Sequence, residues 1–121
     1  MGQSGDVKVT HYGEHEVNIV EQGVDAIAEV LNGTDDAAKE SLLFCLDRYL
    51  DPYFGYNLPY ADKICELLQY VVINPNSRDN KDEALRLLSL YLYPPFAIIE
   101  ANLDKIEEDL VPDVQEIMNP D

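Results

Sequence analysis

The sequence predicts an all-α protein, and three observations lead to this fold class. Apolar residues recur at the three- and four-residue spacing of a helix face in several segments. Prolines follow two of these segments closely, and a proline there would end a helix. Much of the chain also matches itself when it is shifted by 42 residues, a period that is typical of stacked helix pairs. We therefore predict five to six helices in one domain.

Each copy of the repeat is predicted to hold two helices. The first helix ends before a proline, at Pro52 in one copy and at Pro94 in the other. The second begins with an aspartate, whose charge suits the positive end of the helix dipole. The apolar stripes of the first helices are Leu42, Leu43, Leu46, Tyr49 and Leu50, and then Leu85, Leu88, Tyr91 and Leu92. Those of the second helices are Ile64, Leu67, Leu68, Val71 and Val72, and then Ile106, Leu110 and Val114.

The two copies span residues 39–72 and 81–114, and they align without a gap. Thirteen of the 34 aligned positions are identical. The identities run through both predicted helices, from the pair Lys39 and Lys81 to the pair Val72 and Val114. We interpret this match as an internal duplication.

The N-terminal third reads as half of another copy. Its heptapeptide DAIAEVL resembles DKICELL and DKIEEDL in the two complete copies. One helix is predicted here, with Gly33 as its stop and Thr34 or Asp35 as the cap of the next helix. Its stripe is formed by Val20, Val24, Ile27 and Leu31. We expect residues 1–16 to be an extended or disordered arm and residues 17–121 to be a single repeat domain.

Over residues 17–118 the period and the helix pairs resemble HEAT and armadillo repeats. The resemblance implies a short right-handed stack of antiparallel helix hairpins, an α-solenoid in which neighbouring hairpins bury one another's apolar stripes. It concerns architecture and implies no particular activity.

Charge is the strongest global property of the chain. Twenty-four acidic residues face eight basic ones, for a formal net charge of −16. This charge disfavours nucleic acid and anionic membrane surfaces as ligands, because both would be repelled. It favours a basic protein partner, or it serves solubility alone. No apolar run is long enough to cross a bilayer and no secretory signal precedes the domain, so a cytoplasmic location is expected.

Residues that could carry catalysis are few. Cys45 and Cys65 lie within apolar helical patterns and are predicted to be free, buried thiols. His11 and His15 stand four residues apart, but Gly13 lies between them and no further ligand pair completes a zinc site. We predict no enzyme activity, no metal and no cofactor.

Two groups of residues are candidates for contact with a partner. Tyr53, Tyr56 and Tyr60 belong to an aromatic loop and have no tyrosine counterpart in the second copy, whereas Tyr49 and Phe54 recur and are predicted to be core. The second group is acidic, with pairs four residues apart that would form a stripe on the concave side of a stack. Its members are Asp25 and Glu29, Asp62 and Glu66, and Asp104 and Glu108, with Asp109 in the acidic C-terminal stretch. A solvated polar face would explain the same acids.

Size, acidity and helical repeats together resemble the small acidic immunity proteins of bacterial toxin systems. The resemblance implies a protein-binding inhibitor whose carboxylates occlude the cationic active site of a basic toxin domain. The alternative is an adaptor module that joins proteins in a larger assembly.

Overall fold

The computed structural model of the protein describes residues 13–55, 59–92 and 94–118. These ranges are helical and contain no strand, which confirms the all-α fold class. The α-helices are α1 (Glu14–Gln22), α2 (Val24–Leu31), α3 (Asp36–Leu50), α4 (Ala61–Ile73), α5 (Arg78–Tyr91), α6 (Ala97–Ala101) and α7 (Val111–Met118). Single 3-10 turns span Pro52–Phe54, Leu103–Lys105 and Glu108–Leu110. No helix in the described ranges is long and apolar enough to cross a membrane.

The helices pack as two interleaved series. In one series α1 contacts α3, α3 contacts α5, and α5 contacts α7. In the other, α2 contacts α4, and α4 contacts α6. Contacts between α1 and α2, α2 and α3, and α4 and α5 join the two series. One cluster of buried apolar side chains connects them all, and it includes Val20, Ile27, Leu46, Ile64, Leu88, Ile99 and Val114.

Several predicted helix ends are confirmed. Asp35 caps α3 by accepting a hydrogen bond from the amide of Ala38 at 3.1 Å. Helix α3 ends at Leu50, two residues before Pro52. Helix α5 ends at Tyr91, ahead of Pro94. These ends follow from local chemistry, because a proline supplies no amide donor and keeps the residue before it out of the helical region.

The prediction of one helix in the N-terminal third is wrong. Two helices lie there, and Gly23 separates them with φ at +114° and ψ at −178°. Only glycine adopts this conformation readily, so the chain turns at Gly23 although the apolar stripe continues past it. Helix α1 begins at Glu14, within residues 1–16, which the sequence predicts to be an extended or disordered arm. Residues 1–12 of that arm lie outside the described residues.

The second copy of the repeat also departs from the predicted pattern. Instead of one helix equivalent to α4, it has two 3-10 turns followed by α7. Pro112 explains the break, because its ring would clash with the carbonyl of Glu108 in a continuous helix and its nitrogen cannot donate to it. Helix α6, which the sequence did not predict, occupies the place against α4. The interpretation as a duplication remains a prediction.

Burial is nevertheless alike at the aligned apolar positions of these segments. Ile64 and Ile106 are both buried, although one lies in a helix and the other in an extended stretch. The pairs Leu68 and Leu110, and Val72 and Val114, are buried in the same way. The apolar pattern therefore identified which side chains enter the core, while the proline changed the backbone that carries them there.

Candidate functional site

An exposed aromatic corner lies at the end of α3 and consists of Arg48, Tyr53 and Phe54. Pro52 starts a 3-10 turn there, and the Asp51 carboxylate accepts a hydrogen bond from the Tyr53 amide at 2.9 Å. The Tyr53 side chain is 86% exposed. Its ring meets that of Phe54 edge to face, with 5.2 Å between the ring centroids. The Arg48 guanidinium lies 4.9 Å from the centre of the Phe54 ring, in cation–π geometry.

The prediction that Phe54 belongs to the core is wrong, since 45% of it is exposed. Its counterpart Phe96 is 1% exposed and precedes α6, which packs against α4. Among the described residues, the turn that carries Phe54 has its main contacts with α3. Tyr49, by contrast, is buried as predicted. Equivalent positions of the repeat therefore hold one buried phenylalanine, Phe96, and one exposed phenylalanine, Phe54.

The three candidate tyrosines do not form one group. Tyr53 is on the surface, but Tyr60 is half-buried and its hydroxyl donates a 2.6 Å hydrogen bond to the carbonyl of Val20. Burial raises the pKa of Tyr60. This tyrosine joins the start of α4 to α1, so its hydroxyl is engaged within the fold. Tyr56 lies outside the described residues.

The acidic candidates on α4 occupy the predicted arrangement. Asp62 and Glu66 are exposed and one helical turn apart, and the ammonium of Lys63 lies 4.0 Å from the Glu66 carboxylate. Asp104 and Glu108 are exposed too, but the expectation that they share a helix face is wrong. They belong to separate 3-10 turns with the extended residue Ile106 between them. The predicted pair Asp25 and Glu29 on α2 is also exposed and one helical turn apart, so the pairs on α2 and α4 each present their carboxylates on one helix face.

Asp109 is engaged by an arginine of the same chain. The Arg78 guanidinium donates to its carboxylate at 2.5 Å and to that of Asp82 at 3.1 Å. This contact lowers the pKa of Asp109. A partner's cation would have to compete with Arg78 for this carboxylate. Asp109 is thus a weaker candidate for contact than the acids of α4.

Two lysines are buried at equivalent positions of the repeat. Lys39 on α3 is 3% exposed, and Lys81 on α5 is 4% exposed. The ammonium of Lys39 donates to the side-chain oxygen of Asn76, and that of Lys81 lies 3.8 Å from the Glu107 carboxylate. Each lysine directs its charge toward a later loop of the fold. The identity at these two positions was visible in the sequence alignment, although its structural meaning was not.

A polar network joins α3 to the end of α5. Arg86 donates to Asp47 at 2.7 Å and to Glu83 at 2.6 Å. The hydroxyl of Tyr91 donates to the second oxygen of Asp47 at 2.6 Å. This hydrogen bond, supported by partial burial, raises the pKa of Tyr91 to about 12. The charge of Arg86 is therefore matched inside the chain, as is that of Arg78.

Sequence reasoning missed Gln69, which lies outside the apolar stripe of α4 and yet is 4% exposed. Its side-chain oxygen accepts hydrogen bonds from the amides of Ile98 at 2.9 Å and Ile99 at 3.1 Å. Gln69 therefore caps the first turn of α6 from a neighbouring helix. A short sequence pattern cannot predict such a cap, because Gln69 and the amides that it binds are about thirty positions apart.

The two candidate catalytic thiols both have raised pKa values. Burial raises the pKa of Cys45 to about 12, and burial also raises that of the half-buried Cys65. Both are free thiols, and such protonated thiols are poor nucleophiles. His15 is exposed on α1, and His11 lies outside the described residues. Among the described residues, no group of histidine, cysteine and carboxylate side chains could hold a metal ion.

Comparisons with protein families, curated proteins and solved structures found no match.

Proposed function

We propose that this chain is a protein-binding inhibitor, an immunity protein that neutralises a basic toxin domain by occluding its active site. We further propose that its helices form a short right-handed stack of the HEAT or armadillo type. The order of helix contacts supports the stack, since α1, α3, α5 and α7 follow one another in one series and α2, α4 and α6 in the other.

The observation that carries the proposed function is the unequal placement of charge. Lys39 and Lys81 are buried, and Arg78 and Arg86 are held by carboxylates of the same chain. Acidic side chains, in contrast, are mostly exposed. The surface is therefore more uniformly negative than a net charge of −16 alone requires. Such a surface attracts a cationic cleft over long range and accelerates association with it.

Binding would combine charge with an aromatic anchor. Asp62 and Glu66 present two carboxylates on one face of α4, and Asp104 and Glu108 add exposed charge from the 3-10 turns. Tyr53 supplies a large, almost fully exposed ring that loses little conformational freedom on contact. If the toxin is a nuclease, these carboxylates take the place of the phosphates that its cleft normally holds. Such an inhibitor works in the cytoplasm, beside newly made toxin.

An adaptor module is the second candidate, and exposed apolar side chains favour it. Leu90 is 57% exposed and Leu103 is 48% exposed. Contacts built on such residues respond weakly to salt, whereas association steered by charge slows as the ionic strength rises. Salt dependence therefore separates the two functions.

The test begins with capture of the partner by the tagged protein from its native host, followed by mass spectrometry. The association rate with the purified partner is then measured from about 20 mM to about 500 mM salt. An inhibitor of a basic toxin should associate at least about tenfold more slowly at the higher concentration, and it should abolish the partner's activity. A partner that is not basic, or a rate that does not depend on salt, would favour the adaptor.

Single charge reversals then locate the interface. Glu66→Lys should weaken binding while the melting temperature stays nearly unchanged, because exposed substitutions alter stability by only about 0.5 kcal/mol or less. Glu21→Lys is the matched control, since Glu21 is an exposed helical glutamate on α1. Equal affinity of both variants for the partner would remove the α4 acids from the interface.

A further inference from the structure

An open cleft of about 360 Å³ lies between α5 and α7. Its floor is apolar, because Leu85 from α5 and Ile117 from α7 line it while each keeps less than a tenth of its surface exposed. Ser89, which is exposed on α5, lines it as well. Leu85 and Ile117 thus give the cleft a small apolar base, and the other residues that line it are polar or charged.

The two arginines that line the cleft bring little free positive charge to it. Arg78 is held by Asp82 and Asp109, as described above, and Arg86 lies between two carboxylates of its own. Four carboxylates thus surround two guanidinium groups. An anionic ligand would meet more negative than positive charge at this position.

Two further carboxylates line the cleft without a cationic partner. Asp113 and Glu116 are exposed and three residues apart on α7, so they share a face of that helix. Neither takes part in an ion pair within the described part of the chain. Free carboxylates beside an apolar floor match a segment that carries a lysine or arginine next to an apolar side chain.

We propose that the α5–α7 cleft receives an amphipathic basic segment of the protein partner. An apolar side chain of that segment packs on Leu85 and Ile117, and its cation lies between Asp113 and Glu116. The proposal rests on the proposed function in that it assumes a basic protein partner. A second copy of this chain is disfavoured as the occupant, because two molecules of charge −16 repel each other.

The test uses a synthetic amphipathic peptide of leucine and lysine as the probe, together with a scrambled peptide of the same composition. Amide resonances of the labelled full chain are followed during titration with each peptide. The patterned peptide should shift the resonances around Leu85, Ser89 and Ile117 first. Shifts spread over the whole acidic surface, or identical behaviour of the scrambled peptide, would overturn the proposal.

Variants make the result specific to the cleft. Glu116→Lys should raise the dissociation constant of the patterned peptide roughly tenfold, because it replaces attraction by repulsion. Glu21→Lys is the control and should change it less than about twofold; both glutamates are exposed and lie near the end of a short helix. Ser89→Arg should also weaken binding by filling the cleft, whereas Ser89→Ala should not. Equal effects of Glu116→Lys and Glu21→Lys would mean that the peptide senses only net charge, which would refute the proposal.

These outcomes are separate from those of the proposed function. The same Glu116→Lys variant is also assayed against the captured partner. Normal binding of a basic partner by this variant would refute the cleft proposal and leave the inhibitor function standing. Capture of a non-basic partner would overturn the inhibitor function, even if the peptide occupied the cleft.

Discussion

The hydrogen bonds from Gln69 to α6 allow a quantitative test of the packing. Replacing Gln69 by methionine keeps a side chain of similar length and volume but removes the oxygen that accepts from the amides of Ile98 and Ile99. The substitution leaves no large cavity, so any loss of stability reports mainly on the missing acceptor. We expect the first turn of α6 to lose its attachment to α4.

The magnitude follows from the burial of the two amides. Ile99 is fully buried, and a buried donor without a partner costs about 1–3 kcal/mol. Ile98 is half-buried, and loss of a helix cap of this kind costs about 0.5–2 kcal/mol. Gln69→Met should therefore lower the free energy of unfolding by about 1.5–5 kcal/mol. For a chain of 121 residues, this corresponds to a fall in melting temperature of about 6–20 °C.

Urea unfolding measures the loss, and hydrogen exchange locates it. The amides of Ile98 and Ile99 should lose protection before those of α3 and α5. Gln22→Met, at the exposed end of α1, is the matched control and should change stability by less than about 0.5 kcal/mol. A Gln69→Met variant as stable as this control, with unchanged protection in α6, would refute the assigned role of Gln69.

Three further predictions concern the core, the turn at Gly23 between α1 and α2, and the hydroxyl of Tyr91. Leu88→Ala should lower the free energy of unfolding in urea by about 2–5 kcal/mol, because Leu88 is fully buried. Leu90→Ala on the same helix is the control and should lower it far less, since Leu90 is 57% exposed. Equal losses would contradict the assignment of Leu88 to the core. Gly23→Ala should cost about 1–3 kcal/mol because its φ of +114° is strained for any residue with a Cβ atom, and a neutral result would contradict that backbone geometry. Tyr91 has its pKa raised to about 12 by its hydrogen bond to Asp47, so its contribution to stability is complete below the unfolded pKa of about 10 and is lost as the pH rises toward 12. The ultraviolet difference titration between wild type and Tyr91→Phe should have its midpoint near 12; the same difference measured in an Asp47→Asn background should have a lower midpoint, and an unchanged midpoint would show that Asp47 is not the cause.

The sequence was informative where local chemistry decides the structure. Helices α3 and α5 have apolar stripes at helical spacing and prolines beyond their ends, and the structure places both where these signals predict. The cap at Asp35 follows from side-chain chemistry within three residues. Each of these features can be recognised in a short window, without knowledge of the tertiary fold.

The remaining features depend on a single backbone position or on distant contacts. The apolar stripe continues across Gly23, so periodicity alone could not reveal the break between α1 and α2. The identities between the two copies predict equivalent helices, but Pro112 stands where the first copy has Tyr70 within α4 and breaks the second helix. Phe54 and Phe96 are aligned and identical, yet Phe96 is core and Phe54 is exposed; Phe96 directly precedes α6, which packs against α4.

The candidate surface was predicted in a similar, partial way. The acidic pair Asp62 and Glu66 could be placed by helical periodicity, and both residues are exposed on α4. The contact of Tyr60 with α1 and that of Arg78 with Asp109 could not, since each joins residues 31 to 40 positions apart. Such pairings are determined by how the helices dock, and a single sequence does not record that arrangement.

Because Lys39 and Lys81 are buried, acylation of their amines can be used to measure partial opening of the fold. In the folded state a reagent that attacks free amines reaches Lys63 and Lys105, which are exposed, far more readily than Lys39 or Lys81. Because the two protected amines lie on α3 and α5, mass spectrometry of acylated fragments would report the loosening of each helix separately. The same two positions that reveal the repeat in the sequence would then show which copy opens first.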